Sequence, residues 1–429
     1  MPVVGGRTGK SPKSSWWSSL GPGLITGAAD DDPSGIATYA QAGAQFGFSL
    51  SWTLLITYPM MVVIQEISAR VGRTTGRGIA GNLRRHYPAW LLHGIVVLLC
   101  AANVLNIGAD LGAMAAAARL LLPIPAGLYV AGFGIVCAAG MVFVQYGRYV
   151  SILRWLTLSL LAYFGTVFVV HVSWGELLRG LLWPDLRLDR SFWMTVVAIF
   201  GTTISPYLFF WQASQEVEDT HVKSERAPLL RKPRQAANAL TRIRADTATG
   251  MAVSNLVALA ILVTTASTLH EHRITDVATA AQAAEALRPI AGSAAFALFA
   301  LGIVGTGLLS VPVLAGSAAY ALGEAWRWPV GLSKRPSRAR AFYWTIVATI
   351  VLGAAGNVLA FNPLRALVWA AVINGIVAVP VMAMLMLMST RVAILGQFRI
   401  GKRLAVLGWG ATALMGVASV LFIAGSVRT

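Results

Sequence analysis

Eleven apolar runs recur along this chain, each long enough to cross the roughly 30 Å hydrocarbon core of a bilayer as a helix. They fall near residues 20–45, 49–69, 91–118, 126–144, 150–171, 193–215, 247–269, 291–322, 341–358, 362–388 and 404–425. In lipid, a spanning segment must pair its own backbone N–H and C=O groups, so such runs become helices packed into a bundle. Composition agrees: 12% of the residues are charged and 56% are hydrophobic, where a soluble domain carries about 25% charged residues. The expected fold class is an all-α membrane protein with about 11 transmembrane helices, and its first partner is the lipid bilayer.

A formal net charge of +17 raises the question of nucleic acid, because basic stripes bind phosphates. The cations here punctuate the apolar runs and do not gather on one face. Alternate connecting segments hold 26 of the 34 Lys and Arg residues. That alternation follows the positive-inside rule. It places the N-terminal tail, residues 1–19, in the cytoplasm and the C-terminus outside, in what reads as the plasma (inner) membrane. No nucleic-acid partner is expected. The tail has no apolar h-region before Leu20, so no cleavable signal peptide is read. Cys100 and Cys137 lie within apolar runs and read as small core residues. The oligomeric state is left open, monomer or otherwise.

The longest polar stretch, Glu216 to Asp246, reads as a solvated cytoplasmic loop. It divides the first ten spans into two sets of five, residues 20–171 and 193–388, with residues 404–425 as an additional helix.

Only 17 residues are acidic, so each can be placed. A carboxylate at the centre of a membrane helix costs roughly 2.5–3.5 kcal/mol on insertion scales, which makes it a functional candidate. Asp30, Asp31 and Asp32 stand together in the first span, followed by Pro33, Ser34 and Gly35. Proline lacks a backbone donor and disfavours helix in the residue before it. The first span therefore reads as two half-helices around an unwound acidic segment. Span six has a counterpart at Ser205-Pro206, with Thr202 and Thr203 beside it. Two interrupted helices, each opening a set of five spans, are the pattern of inverted-repeat transporters, which bind cargo at mid-membrane between the breaks. Carboxylate and freed carbonyl oxygens suit a hard cation.

Structural readings stand beside these. Pro206 alone is equally a simple kink. A water-filled vestibule is an alternative setting for Asp30 and Asp31, and for Asp30 it is the preferred reading. Asp110 is balanced between a coupling role and pairing with a buried donor. Glu66 lies four residues before Arg70 and forms a plausible helix ion pair, and Glu324 reads as a span-end residue near Arg327. Asp30 to Gln41 resembles an EF-hand loop only loosely, since Gln41 stands where the closing Glu belongs. All six histidines lie in loops or at span ends, leaving no mid-membrane proton relay near neutral pH. No catalytic triad, metal cluster or Walker loop is visible, so neither an enzyme nor an ATP-driven pump is expected, and no cofactor is implied.

Gly21-Pro22-Gly23, Asp32-Pro33 and Gln45-Phe46-Gly47 together resemble the first helix of the Nramp divalent-metal transporters. Gln65-Glu66 with Ala69-Arg70-Val71-Gly72 and Thr75-Gly76 resembles the end of their second helix. Asp110-Leu111 resembles an acidic position in their third, Ser205-Pro206 the break in their sixth, and Ala315-Gly316-Ser317 their eighth. The resemblance implies a LeuT-type 5+5 inverted repeat with helices 1 and 6 broken and a divalent metal held between them as cargo.

It also implies a ligand set. Asp32 would bind metal directly, Thr202 would offer its carbonyl, and Ser205 would offer a hydroxyl or a water contact. Asp31, Gln212, Tyr207, Gly35 and Asp30 would line the hydration shell or the approach, with Asp110 and Glu66 in coupling or structural roles. The departures from the family's pattern are as informative. Gly35 stands where the family's motif has a metal-binding Asn, and Ser205 where its sixth helix has Met. Gln212 replaces a His, and Ala113 a Glu. Thioether favours softer metals, whereas carboxylate, hydroxyl and water suit Mg²⁺ and Mn²⁺. The chain thus most resembles the Nramp-related magnesium transporters. The expectation is alternating-access carriage of Mg²⁺, with Mn²⁺ as a second ion and weak or no proton coupling. A proton-coupled Mn²⁺/Fe²⁺ carrier is the alternative. A sodium-coupled organic-solute symporter ranks lower, since three aspartates would repel a substrate carboxylate, and a non-transporting sensor has no soluble partner domain to support it.

Overall fold

Proline placement decides where helices break. The computed structural model describes residues 22–144, 160–187, 189–222, 226–357 and 362–427. Pro59, Pro312 and Pro380 lie inside continuous helices, whereas Pro33 and Pro206 each begin a new one. The difference is a side chain that closes the ends. Asp32 is the N-cap of the helix that Pro33 opens, its carboxylate accepting from the Gly35 N–H. Ser205 donates its hydroxyl to the carbonyls of Gly201 and Thr202, at 2.7 and 2.9 Å, closing the helix before Pro206. Orphan groups at helix ends need such partners when water is absent.

The first span is thus α1 (Pro22–Asp30) and α2 (Pro33–Phe46). Then follow α3 (Ser51–Thr75), α4 (Ile79–His86), α5 (Ala89–Ala118), α6 (Ala126–Phe143), α7 (Leu161–Val169) and α8 (Trp174–Leu182). The sixth span is α9 (Arg190–Thr203) and α10 (Pro206–Val222). The chain continues with α11 (Ala236–Thr265), α12 (Ala295–Trp326), α13 (Arg340–Gly356), α14 (Pro363–Thr390) and α15 (Lys402–Val427). Among the described residues, eight helical stretches are long and apolar enough to cross a membrane, Pro33–Thr75 counting as one of them, and α13 is a shorter apolar helix. Each of the eleven expected spans carries a helix. The fifth is described only from residue 160. The tail 1–19, Gly21, Arg148, Arg154 and Lys223 lie outside the described residues.

Packing exchanges partners between the two sets of five. The half-helix α2 packs on α11, and its counterpart α10 packs on α3. Each broken helix therefore leans on the helix that follows the other break, as an inverted repeat requires. The central helix α5 lies against α12, α13 and α14. Several seams bring backbones into direct contact, two of them on the half-helices that precede the breaks. A Cβ at Gly27 of α1 would overlap the backbone of Gly250 in α11, and one at Gly201 of α9 would overlap the backbone of α14 at Ala371 and Gly375. Small residues permit such close approach between membrane helices.

The polar stretch from Glu216 to Asp246 is largely helical, not a solvated loop throughout. α10 runs on to Val222 and α11 begins at Ala236. Burial with partners is the reason. Glu216 is fully buried and takes both carboxylate oxygens to Arg242, at 2.8 and 2.6 Å. Asp246 lies 4.0 Å from the same guanidinium and accepts from the Gly23 N–H at 2.7 Å, capping the start of α1. Glu324 has other partners than Arg327. Its carboxylate accepts from the N–H groups of Gly78 and Gly81 at 2.7 and 2.9 Å, holding the start of α4.

Candidate cation site

The two breaks meet at Asp32. Its backbone is extended (φ −73°, ψ 169°) between α1 and α2, and its side chain is 1% exposed. Oδ1 accepts from the Ser34 hydroxyl and the Gly35 N–H, both at 2.7 Å. Oδ2 receives the Tyr207 hydroxyl at 3.3 Å, and that hydroxyl also lies 3.2 Å from the Ala29 carbonyl at the end of α1. The Ser34 hydroxyl stands 3.4 Å from the Thr202 hydroxyl. Asp32, Ser34, Thr202 and Tyr207 thus join the unwound part of span one to both halves of span six.

Charge and dipoles converge there. The start of α2 presents N–H groups to Oδ1, while the end of α9 presents carbonyls beside Thr202. Ser205 spends its proton on those carbonyls, so only its oxygen lone pairs remain for a ligand or water. Gly35 faces Thr202 and Tyr39: a Cβ there would stand 3.1 Å from Thr202 Oγ1 and 3.3 Å from Tyr39 Cε2. Hydroxyl and ring fill the space that a longer side chain would need.

The other expected residues lie in a shell around this point. Asp30 and Asp31 reach α11, where the Ser254 hydroxyl meets Asp30 Oδ2 at 2.7 Å and Asp31 Oδ1 at 3.0 Å. Both are buried, and Asp30 Oδ1 meets no protein donor. Gln212 accepts from the Thr26 hydroxyl, linking α10 to α1. Asp110 of α5 takes the Ser310 hydroxyl of α12 at 2.9 Å. Glu66 faces Arg70 at 3.5 Å and Arg244 at 3.4 Å, away from the breaks. Among the described residues, no three His, Cys, Asp or Glu side chains converge as a metal cluster would. The donors around Asp32 are hydroxyls and carbonyls.

Sequence reasoning missed Ser34, Tyr39, Ser254 and Ser310. Ser254 and Ser310 are lone polar residues in apolar runs, and nothing in a single sequence pairs them with carboxylates on another helix. Ser34, two residues after Asp32, had a local signal in the Asp-Pro-Ser turn.

This arrangement has relatives. The model of the family described as natural resistance-associated macrophage protein-like, Nramp, matches residues 23–425. The chain belongs to the Nramp family. The divalent metal cation transporter MntH of Ralstonia nicotianae is 28% identical over 428 residues, covering 95% of this chain and 91% of that protein. The protein of the same name from Aeromonas hydrophila is 27% identical over 335 residues, covering 75% of this chain and 78% of that one. Among solved structures, the Eremococcus coleocola manganese transporter superposes with a TM-score of 0.70 at 18% identity, covering 96% of this chain and 87% of the other. The nucleobase-cation-symport-1 family transporter Mhp1, in a closed conformation, gives 0.58 at 14% identity, with 95% and 92% covered. These likenesses bear on the fold: an Nramp-type bundle of LeuT type, with its first and sixth helices broken.

Proposed function

We propose that this Nramp-family protein carries divalent cations through the membrane by alternating access, with Mg²⁺ as the favoured cargo and Mn²⁺ accepted. The observation that carries the reading is the single buried carboxylate of Asp32 at the junction of two broken helices, ringed by hydroxyls and carbonyls. Asp32 would be the one charged ligand, with the Thr202 carbonyl and the Ser205 oxygen completing the protein's share. Mg²⁺ sheds water reluctantly and is usually held by one or two carboxylates with several waters kept. A site with one carboxylate and no thioether suits that habit. Asp31, Asp30, Gln212 and Tyr207 would hold or admit those waters. Opening to one side and then the other would come from rocking one set of helices against the other around this fixed point. The cytoplasmic placement of the N-terminus and residence in the plasma (inner) membrane belong to the same proposal.

The test is flux into proteoliposomes carrying the full chain, with Mg²⁺, Mn²⁺ and Ca²⁺ offered separately and internal pH recorded. Mg²⁺ uptake above empty vesicles without acidification supports the proposal. Mn²⁺ uptake with acidification and no Mg²⁺ flux supports the second reading, a proton-coupled Mn²⁺/Fe²⁺ carrier. What favours that reading is the naming of the relatives, together with the fully buried Asp110 on α5.

A further inference from the structure

Away from the breaks, one face of the bundle joins three features that its cation chemistry does not use. The first is a groove of about 880 Å³ between α5, α12 and α13, lined by Val97, Cys100, Val104, Trp328, Trp344 and Leu352 among others and almost wholly apolar. From Ala341 to Leu352 it follows α13 for about 16 Å at 1.5 Å per residue, close to the depth of one leaflet of a roughly 30 Å hydrocarbon core. The second is a set of tryptophans at one end of the groove. Trp326 and Trp328 stack with ring centroids 5.8 Å apart, Trp344 is 70% exposed, and His93, near the start of α5, packs on Trp326. Tryptophans gather at the level of lipid headgroups, which sets the groove's mouth there. The third is charge. A second pocket of about 380 Å³, sharing Trp344 with the groove, is lined by Arg340, Ser337 and Tyr343. Lys334, Arg335, Arg338 and Arg340 stand in seven residues beside it, and none has an ion-pair partner among the described residues. Glu218, the carboxylate that reaches this loop, is occupied by the Ser333 N–H at 2.6 Å and the Tyr320 hydroxyl at 3.2 Å.

We propose that this face is a binding site for one anionic phospholipid, its acyl chain in the α5–α12–α13 groove and its headgroup phosphate on Arg340 and the neighbouring cations. Unpaired cations call for an anion, and the tryptophans and the apolar trough below them call for a chain attached to it. A zwitterionic lipid fills the trough, but its own cation cancels its phosphate and leaves the cluster of Lys and Arg without net compensation. A free phosphate meets the cations but leaves the trough empty. The site stands independently of the cation cargo.

The test is native mass spectrometry of the delipidated full chain, titrated with phosphatidylglycerol or phosphatidylcholine bearing the same acyl chains. Phosphatidylglycerol should bind more tightly. A Lys or Arg near a membrane surface is worth about fivefold in affinity for anionic lipid, so R338Q with R340Q should weaken phosphatidylglycerol roughly 30-fold and phosphatidylcholine, whose choline offsets its phosphate, far less. R340K should keep most of the preference, and R231Q, in another loop, all of it. Inorganic phosphate should not displace the bound lipid. Retained phosphatidylcholine binding and an unchanged melting temperature certify that the double variant is folded, and R340Q paired with R340K carries the test if it is not. Equal affinity for the two lipids in the unaltered chain would overturn the proposal. So would an undiminished preference in the double variant, or displacement by phosphate alone, which would mark a free-anion site.

Discussion

Asp32 has two roles that one pair of substitutions separates. Its Oδ1 caps α2, accepting from the Gly35 N–H and the Ser34 hydroxyl at 2.7 Å, and its charge is the proposed ligand. Asp32→Ala removes both. Loss of an N-cap costs about 1 kcal/mol, and the buried hydroxyls of Ser34 and Tyr207 lose an acceptor at roughly 1–3 kcal/mol each. Asp32→Asn keeps a carbonyl oxygen for the cap and presents its amide to the Tyr207 hydroxyl, which can accept. Its fold should melt within about 1 kcal/mol of the native chain, since Asn and Asp cap about equally well. The charge, however, is gone. A divalent ion 4 Å from a carboxylate gains on the order of 8 kcal/mol at an effective dielectric of 20. If a third of that survives desolvation, the Asn variant binds about 100-fold more weakly. Calorimetric titration of the purified protein with Mg²⁺ and Mn²⁺, beside a thermal melt, reads both quantities. Native-like affinity in a well-folded Asp32→Asn would refute the ligand role and leave Asp32 a helix cap.

Further expectations follow from single contacts. Gly35→Asn pushes a side chain against Thr202 Oγ1 and Tyr39, at about 1–3 kcal/mol of overpacking; competition uptake should show Mn²⁺ gaining on Mg²⁺, and an unchanged ratio would count against Gly35 as a selector. Arg242→Met strands the buried Glu216 carboxylate, and a thermal melt should register a loss of about 3–5 kcal/mol; restoring stability with Glu216→Gln in the same chain would confirm the cause. Asp189 caps α9 outside the membrane. Burial raises its carboxyl pKa, but hydrogen bonds from Ser191 and Phe192 and the charge of Arg187 outweigh this and hold it below the usual carboxylate range. Its stabilising share should therefore be constant from neutral pH down to about pH 4 and vanish as pH falls further through the lowered value; melts of native and Asp189→Ala chains should differ by a constant amount above that range and converge below it.

The sequence by itself determined the helical class, where the apolar spans lie, the break at Asp32-Pro33 and most of the buried carboxylates, though not Asp246, which is buried beside Arg242. The reason is the solvent. In hydrocarbon a backbone must satisfy itself segment by segment, so a run of about twenty apolar residues declares a helix, and Asp-Pro within one declares an interruption. The sequence left Pro206 equal between kink and break, though, and it read 216–246 as a loop and Glu324 only as a span-end residue near Arg327. Those questions turn on which helix faces which. The Ser205 hydroxyl closes α9 onto its own carbonyls, while Pro59, Pro312 and Pro380 sit within unbroken helices. Glu216 stays helical because Arg242, 26 residues on, reaches it. Glu324 finds the N–H groups at the start of α4, more than 240 residues away in the chain. Ser254, unremarkable in its own run, gathers Asp30 and Asp31 toward α11 and leaves Asp32 alone between the breaks. Helical periodicity shows that a polar residue lies on some face; only the packing of the bundle says what that face meets.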